Sequence, residues 1–177
     1  MVESHKFVLM IQPPSRQGMI WQAILRSQQI AVLWESADVD LIDSLNHLKL
    51  AGKPLPNLLL IDTRLLRLNA YAIARWCHHH CPEMSVVLFN GAQTEVTDTE
   101  REWAIYQGAA DLLPRFRWSH LLSDTMESAK RILELLHISR LDSTALVFAL
   151  FRVSKSHGQP EHAPVRTAAE SKVGSVH

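Results

Sequence analysis

Asn57-Leu58-Leu59-Leu60-Ile61-Asp62 is a short apolar run that ends in a carboxylate, with Pro54 and Pro56 before it and Thr63-Arg64 after it. A run of this length bounded by turn signals reads as a strand buried on both faces of a parallel sheet. In open α/β sheets, ligands and chemistry collect at the carboxyl ends of the strands. Asp62 stands at such an end, either as a reactive group or as the remnant of one. The plainer role for an acid there is to cap the next helix or to pair with a base, and Arg64 and Arg115 are the candidates.

Working outward, similar runs recur at Phe7–Ile11, Ile30–Trp34, Ser85–Phe89 and Ala110–Leu113. Between them the apolar residues fall at helical spacing. Ser15 caps a stretch carrying Met19, Ile20, Ala23 and Ile24 through Gln28, and Asp38–Leu50 presents Leu41, Ile42, Leu45 and Leu48. Arg64–Cys81 carries Leu65, Leu68, Ala72 and Trp76 up to Pro82, and Thr97-Asp98-Thr99-Glu100 has capping-box spacing ahead of a helix that ends near Gly108. Trp118–His137 closes the series with Leu121, Leu122, Met126, Ala129, Ile132, Leu133 and Leu136 on one side. Five strands alternating with five helices predict a three-layer α/β/α domain over 1–137 with a five-stranded parallel sheet. Residues 138–153, which include Thr144–Phe151, form an apolar extension that is a helix or an interface segment, packed on the fifth helix or covered by a partner. Residues 154–177 are expected to be a flexible tail.

Composition excludes several classes. Eighteen basic side chains balance eighteen acidic ones, so no electrostatic footprint for nucleic acid or an anionic membrane is present. Two Cys in 177 residues give no disulfide framework and fit a reducing cytosol. The start lacks the pattern of a signal peptide, and the longest apolar run is too short to span a bilayer, so a soluble, cytoplasmic protein is expected. No Gly-x-Ser-x-Gly elbow and no Gly-rich phosphate loop occur, so no enzyme is expected. Cys77-His78-His79-His80-Cys81 offers soft ligands, but no second cluster completes a closed zinc site, and histidines before Pro82 suit a helix C-terminus. No metal site is assigned.

The order of elements resembles the receiver domain of response regulators. The resemblance rests on Glu35-Ser36-Ala37-Asp38 before a helix, on Pro56–Asp62, and on Gly108-Ala109-Ala110-Asp111-Leu112-Leu113-Pro114-Arg115-Phe116. It implies a flavodoxin-like fold with strand order 2-1-3-4-5 and makes Asp62 the phosphoacceptor, if one is active. It also exposes departures. Where the family places two acids after the first strand, this chain has Gln12 and Pro13; the hydroxyl position is Asn90; the fifth-strand lysine position is Arg115, followed by Phe116; and the switch aromatic is Leu112. Magnesium wants several oxygen ligands and one carboxylate is a poor host, so no cofactor is expected. Arginine does not freely replace the ammonium.

These departures give the reading of a non-catalytic pseudo-receiver acting through protein–protein contact in a two-component-type pathway. Its partner would be a histidine kinase or other signalling protein, or a second copy. Two alternatives stay open: a phosphorylatable single-domain response regulator, and a small-ligand sensor using the strand-end crevice. The resemblance implies that partners and dimers use the surface from the fourth helix to the fifth. Trp103, Tyr106, Phe116 and Trp118 are its candidate interface residues, although Trp103 would also suit a core.

Overall fold

A computed structural model of the protein describes residues 5–155. Five strands, β1 (Phe7–Ile11), β2 (Ala31–Glu35), β3 (Leu58–Asp62), β4 (Ser85–Asn90) and β5 (Asp111–Pro114), form one parallel sheet in the order β2-β1-β3-β4-β5. The helices are α1 (Arg16–Ser27), α2 (Leu41–Leu50), α3 (Ala70–His80), α4 (Asp98–Tyr106), α5 (Leu121–Leu135) and α6 (Ser143–Lys155). All five residues of β3 are buried, whereas β2 at the edge is only partly covered. This difference follows from helices packing on both faces of the central strand. Among the described residues, no helix is long and apolar enough to cross a membrane.

Alternation along the strands divides the core in two. Met10, Leu58, Leu60, Val87 and Phe89 face a cluster with α1, α5 and α6, while Ile11, Leu59, Ile61, Val86 and Leu88 face α2, α3 and α4. Trp21 of α1 anchors the first cluster. It meets Phe89 edge-on at 5.7 Å and Phe116 at 4.9 Å between ring centroids, geometries that favour aromatic pairs. Gly108 follows α4 at φ 96°, and a Cβ there would lie 2.7 Å from His78 Cβ, so both conformation and space demand glycine.

Three helix boundaries differ from the sequence expectation. The stretch expected to be helical from Arg64 starts only at Ala70, where Asn69 accepts from the Ala72 N–H at 3.1 Å. The segment before it is a loop, held at its start by Thr63 donating to the Phe89 carbonyl and by Arg64 returning to Asp62. The helix expected from Asp38 begins at Leu41, capped by Asp40. At Trp118 the chain makes a 3-10 turn through His120 before α5.

The apolar extension is helix α6, and it packs chiefly along α1, with a smaller contact to α5. Leu146 and Leu150 are the buried anchors. A reciprocal clamp fixes its start: Gln28 Nε2 donates to the Asp142 carbonyl at 3.1 Å, and the Asp142 N–H donates to Gln28 Oε1 at 2.8 Å. The tail expected over 154–177 lies, from residue 156 onward, outside the described residues. Leu146→Ala is expected to lower the unfolding free energy by about 2–5 kcal/mol through cavity formation. Phe148→Ala on the exposed side should change it by no more than about 0.5 kcal/mol. Urea denaturation of the two variants checks the docking, and equal effects would contradict it.

Candidate functional site

β1 and β3 are neighbours in register, with Met10 beside Leu60 and Ile11 beside Ile61, so Gln12 and Asp62 follow at adjacent strand ends. Both side chains are fully buried. The Asp62 carboxylate is taken by one residue. Arg64 donates its backbone N–H to Oδ1 at 2.9 Å, its Nε to Oδ1 and Oδ2 at 3.1 and 3.2 Å, and its Nη2 to Oδ2 at 2.6 Å. This is a fork on both carboxylate oxygens, the strongest arrangement a guanidinium makes with an acid. The hydrogen bond to Asp62 pushes the Arg64 pKa further up.

Room for the fork comes from the loop after β4. A Cβ on Gly91 would fall 2.3 Å from Arg64 Nη2 and 2.6 Å from its Cζ, so any side chain there would evict the guanidinium. On the opposite side, Trp34 roofs the end of β1. Its Nε1 donates to the Gln12 carbonyl at 2.9 Å, and its ring lies where a Cβ on Gly18 would sit, 2.4 Å from Cζ2. The Gln12 amide beneath is enclosed and has no hydrogen-bond partner on either atom. Asn90 turns the chain locally, donating to Gln93 Oε1 at 2.7 Å and accepting from the Ala92 N–H at 3.0 Å. Arg115 makes no ion pair with Asp62. Of the two candidate bases, Arg64 is the partner.

No family model matches the chain, and no curated protein matches it. Solved structures do. A response regulator receiver protein from Burkholderia phymatum superposes with a TM-score of 0.56 at 19% identity, covering 76% of this chain and 97% of that one. The response regulator DrrB of Thermotoga maritima gives 0.52 at 16% identity over 75% of this chain and 53% of that one. The beryllofluoride-activated NtrC4 receiver domain, solved as a dimer, gives 0.50 at 15% identity over 70% of this chain and 96% of that one. The fold is that of a response regulator receiver domain.

A receiver fold raises the question of a divalent cation at Asp62, and the donor set does not suit one. A hard ion needs several oxygen donors. Here Asp62 already carries a guanidinium on both oxygens, Gln12 is neutral under its indole roof, Pro13 has no side-chain donor, and the other strand-end acid, Glu35, closes the edge strand β2 on the far side of β1 from Asp62. Among the described residues, no group of three His, Cys, Asp or Glu is placed to hold a metal. The thiols of Cys77 in α3 and of Cys81 at its C-cap turn into the core while His78, His79 and His80 are exposed, so the two ligand types are separated. Burial pushes the Cys77 thiol up to about 12.

The aromatic candidates of this receiver fold do not share one surface. Trp103 and Tyr106 are 55% and 80% exposed and stack on each other at 5.7 Å. Tyr106 borders a cleft of about 390 Å³ with Arg75, His78 and His79 of α3. Phe116, expected beside them, is a correction: it is 1% exposed, because Trp21 and Phe89 draw it into the core. Trp118 is half-exposed, and Arg16 of α1 stands over its ring at 4.2 Å. Sequence reading missed the groove of about 640 Å³ between α4, β5 and α5, which gathers Arg101, Arg115, Arg117 and Arg131 around Asp111 and Asp124. Arginines spread over three elements carry no local pattern that would reveal it.

Arg64→Ala leaves Asp62 buried without its base, and a loss of about 1–3 kcal/mol is expected in denaturant unfolding. The double variant Asp62→Leu/Arg64→Met should recover most of that loss, since an apolar pair of similar volume removes the stranded charge. In native buffer at neutral pH, neither thiol should react with a disulfide reagent on the minutes timescale, and both should react in urea.

Proposed function

We propose that this protein is a pseudo-receiver: a cytoplasmic signalling module that keeps the receiver scaffold and works through protein contact instead of an Asp62 phosphorylation cycle. The observation that carries the reading is the Arg64 fork on Asp62. An in-line donor must approach a carboxylate oxygen that is free, and must have its charge neutralised by a cation on the same acid. In this chain both Asp62 oxygens already accept from Arg64, which supplies one positive charge and no open coordination position. Gln12 and Pro13 in place of acids point the same way. Arg115 stands apart from Asp62, so the fifth-strand contribution to phosphoryl binding is also missing.

The pathway is of the two-component type by analogy of fold. The dimeric state of the NtrC4 receiver makes a second copy one partner to consider. The stacked Trp103–Tyr106 pair is the exposed aromatic feature best suited to contact, because large rigid side chains concentrate binding energy.

The test is incubation of the full chain with magnesium and acetyl phosphate, read by intact mass, beside Asp62→Asn. No adduct on the wild-type chain is the expected outcome. An adduct present in wild type and absent in Asp62→Asn would establish the phosphorylatable alternative.

A further inference from the structure

Helices α3 and α4 end where the chain turns into β4 and β5, so their last turns meet at the amino-terminal end of the sheet, the opposite pole from Asp62. Between them lies the cleft of about 390 Å³, lined by Arg75, His78, His79, Tyr106, Gln107 and Gly108. Gly108 brings the two helices together. A Cβ there would meet His78 Cβ at 2.7 Å and the Ala74 carbonyl at 3.1 Å, so the turn after α4 rests directly on α3.

The cleft carries charge of one sign. Arg75, His78 and His79 are exposed, no acid is among the lining residues, and Arg75 has no ion-pair or hydrogen-bond partner among the described residues. His80 stands outside this set: it stacks on Trp76 at 4.6 Å, and its Nδ1 lies 2.8 Å from the Trp76 carbonyl. The carbonyl ends of two helices oppose an anion, but here they are engaged locally. The Gln107 N–H donates to the Trp103 and Ala104 carbonyls at 3.0 and 3.1 Å, the Gly108 N–H to Ile105 at 2.9 Å, and the Cys81 N–H to Cys77 at 2.7 Å. An imidazole keeps an N–H donor in either protonation state, and a guanidinium fork matches a phosphate through two parallel bonds. Two histidines beside a guanidinium, with no third ligand, do not suit a metal cation.

Two features ask for more than a bare anion. Gln107 is 6% exposed, yet its side-chain amide has no hydrogen-bond partner. Unlike the Gln12 amide, it is not sealed from solvent, so a ligand can reach it. An amide presents a donor and an acceptor side by side, which matches the edge of a nucleobase, whereas a phosphate uses the donor alone. Next to it, Tyr106 stacks on Trp103 at 5.7 Å and stays 80% exposed, leaving ring surface for a further planar group. The volume is that of a small-molecule site. The balanced charge of the chain lacks the footprint of a nucleic-acid polymer.

We infer that the α3–α4 cleft binds a nucleoside monophosphate, its phosphate on Arg75, His78 and His79, its base on Tyr106 and the base edge on Gln107. The site is separate from Asp62 and goes beyond the pseudo-receiver reading.

Isothermal titration calorimetry of the full chain tests it, with the common ribonucleoside 5′-monophosphates, the matching nucleosides, ribose 5-phosphate, inorganic phosphate and a single-stranded oligonucleotide as probes. At least one monophosphate should bind with a submillimolar Kd, at least tenfold tighter than its nucleoside, ribose 5-phosphate or inorganic phosphate. Arg75→Met and Tyr106→Ala should each weaken that binding at least tenfold, Arg75→Lys less, and Arg115→Met not at all. The altered side chains are exposed, circular dichroism confirms that the variants fold, and the ligand series reports independently of them. Absence of submillimolar binding by every monophosphate would overturn the inference, as would equal binding of ribose 5-phosphate or inorganic phosphate, the mark of a plain anion site. Binding indifferent to Arg75→Met or to Tyr106→Ala, or a preference for the oligonucleotide over every monophosphate, would also overturn it. An aspartyl adduct in the acetyl phosphate assay counts against the pseudo-receiver reading and leaves the cleft untouched.

Discussion

The pairing of Asp62 with Arg64 constrains the whole carboxyl end of the sheet. A carboxylate with no exposed surface must be neutralised or hydrogen-bonded, and a base two residues along the chain is the nearest source of both. Once that arginine folds back, the chain after β3 cannot start a helix at once, because residue 64 is engaged in a turn. Helix α3 is displaced to Ala70, and the loop after β4 must carry glycine at position 91 so that the guanidinium has a place to lie. One ion pair thus sets a helix start and the size of a residue on a separate strand end.

The same pair fixes what the site can do. A guanidinium supplies positive charge and directional donors, but unlike a metal ion it offers no vacant position for an incoming oxygen. Trp34 over Gln12 closes the neighbouring strand end with an indole instead of a second acid. The buried polar cluster is then a structural unit in which charge is compensated internally. Its energetic role is the one assigned to most buried ion pairs: removing one partner is costly, although the pair itself contributes little against an apolar alternative.

Sequence made the strands legible because a strand covered on both faces needs continuous apolar residues, and Leu58–Ile61 or Val86–Phe89 leave little else to be. It misplaced the start of α3 because Leu65 and Leu68 fall at helical spacing even in a loop, and periodicity is blind to a side chain that folds back on its own backbone. Asp62 was readable as a strand-end acid, and Arg64 and Arg115 as its rival bases; reach decided between them, and reach is a property of the folded chain. Phe116 was misassigned to the surface for a related reason. Its burial depends on Trp21, contributed by the first helix, and no local feature of β5 or its exit records that contact.

Helix α6 shows how an addition beyond the five-fold β/α alternation redistributes the available surface. Helix α1 already gives one side to the sheet through Ile20, Trp21, Ile24 and Leu25. By laying Leu146 and Leu150 along the other side and clamping Asp142 to Gln28, α6 leaves only Arg16 and Arg26 of α1 exposed, and Arg16 is occupied over Trp118. A helix sandwiched in this way has little apolar surface to offer a partner, and burying more would require α6 to leave. The opposite edge of the sheet has no such cover. There β5 is a four-residue edge strand bordered by α4 and α5, and the exposed Trp103 and Tyr106 lie on α4. Because a docking surface must be available without unpacking the domain, the packed flank of α1 cannot supply apolar contact to a partner.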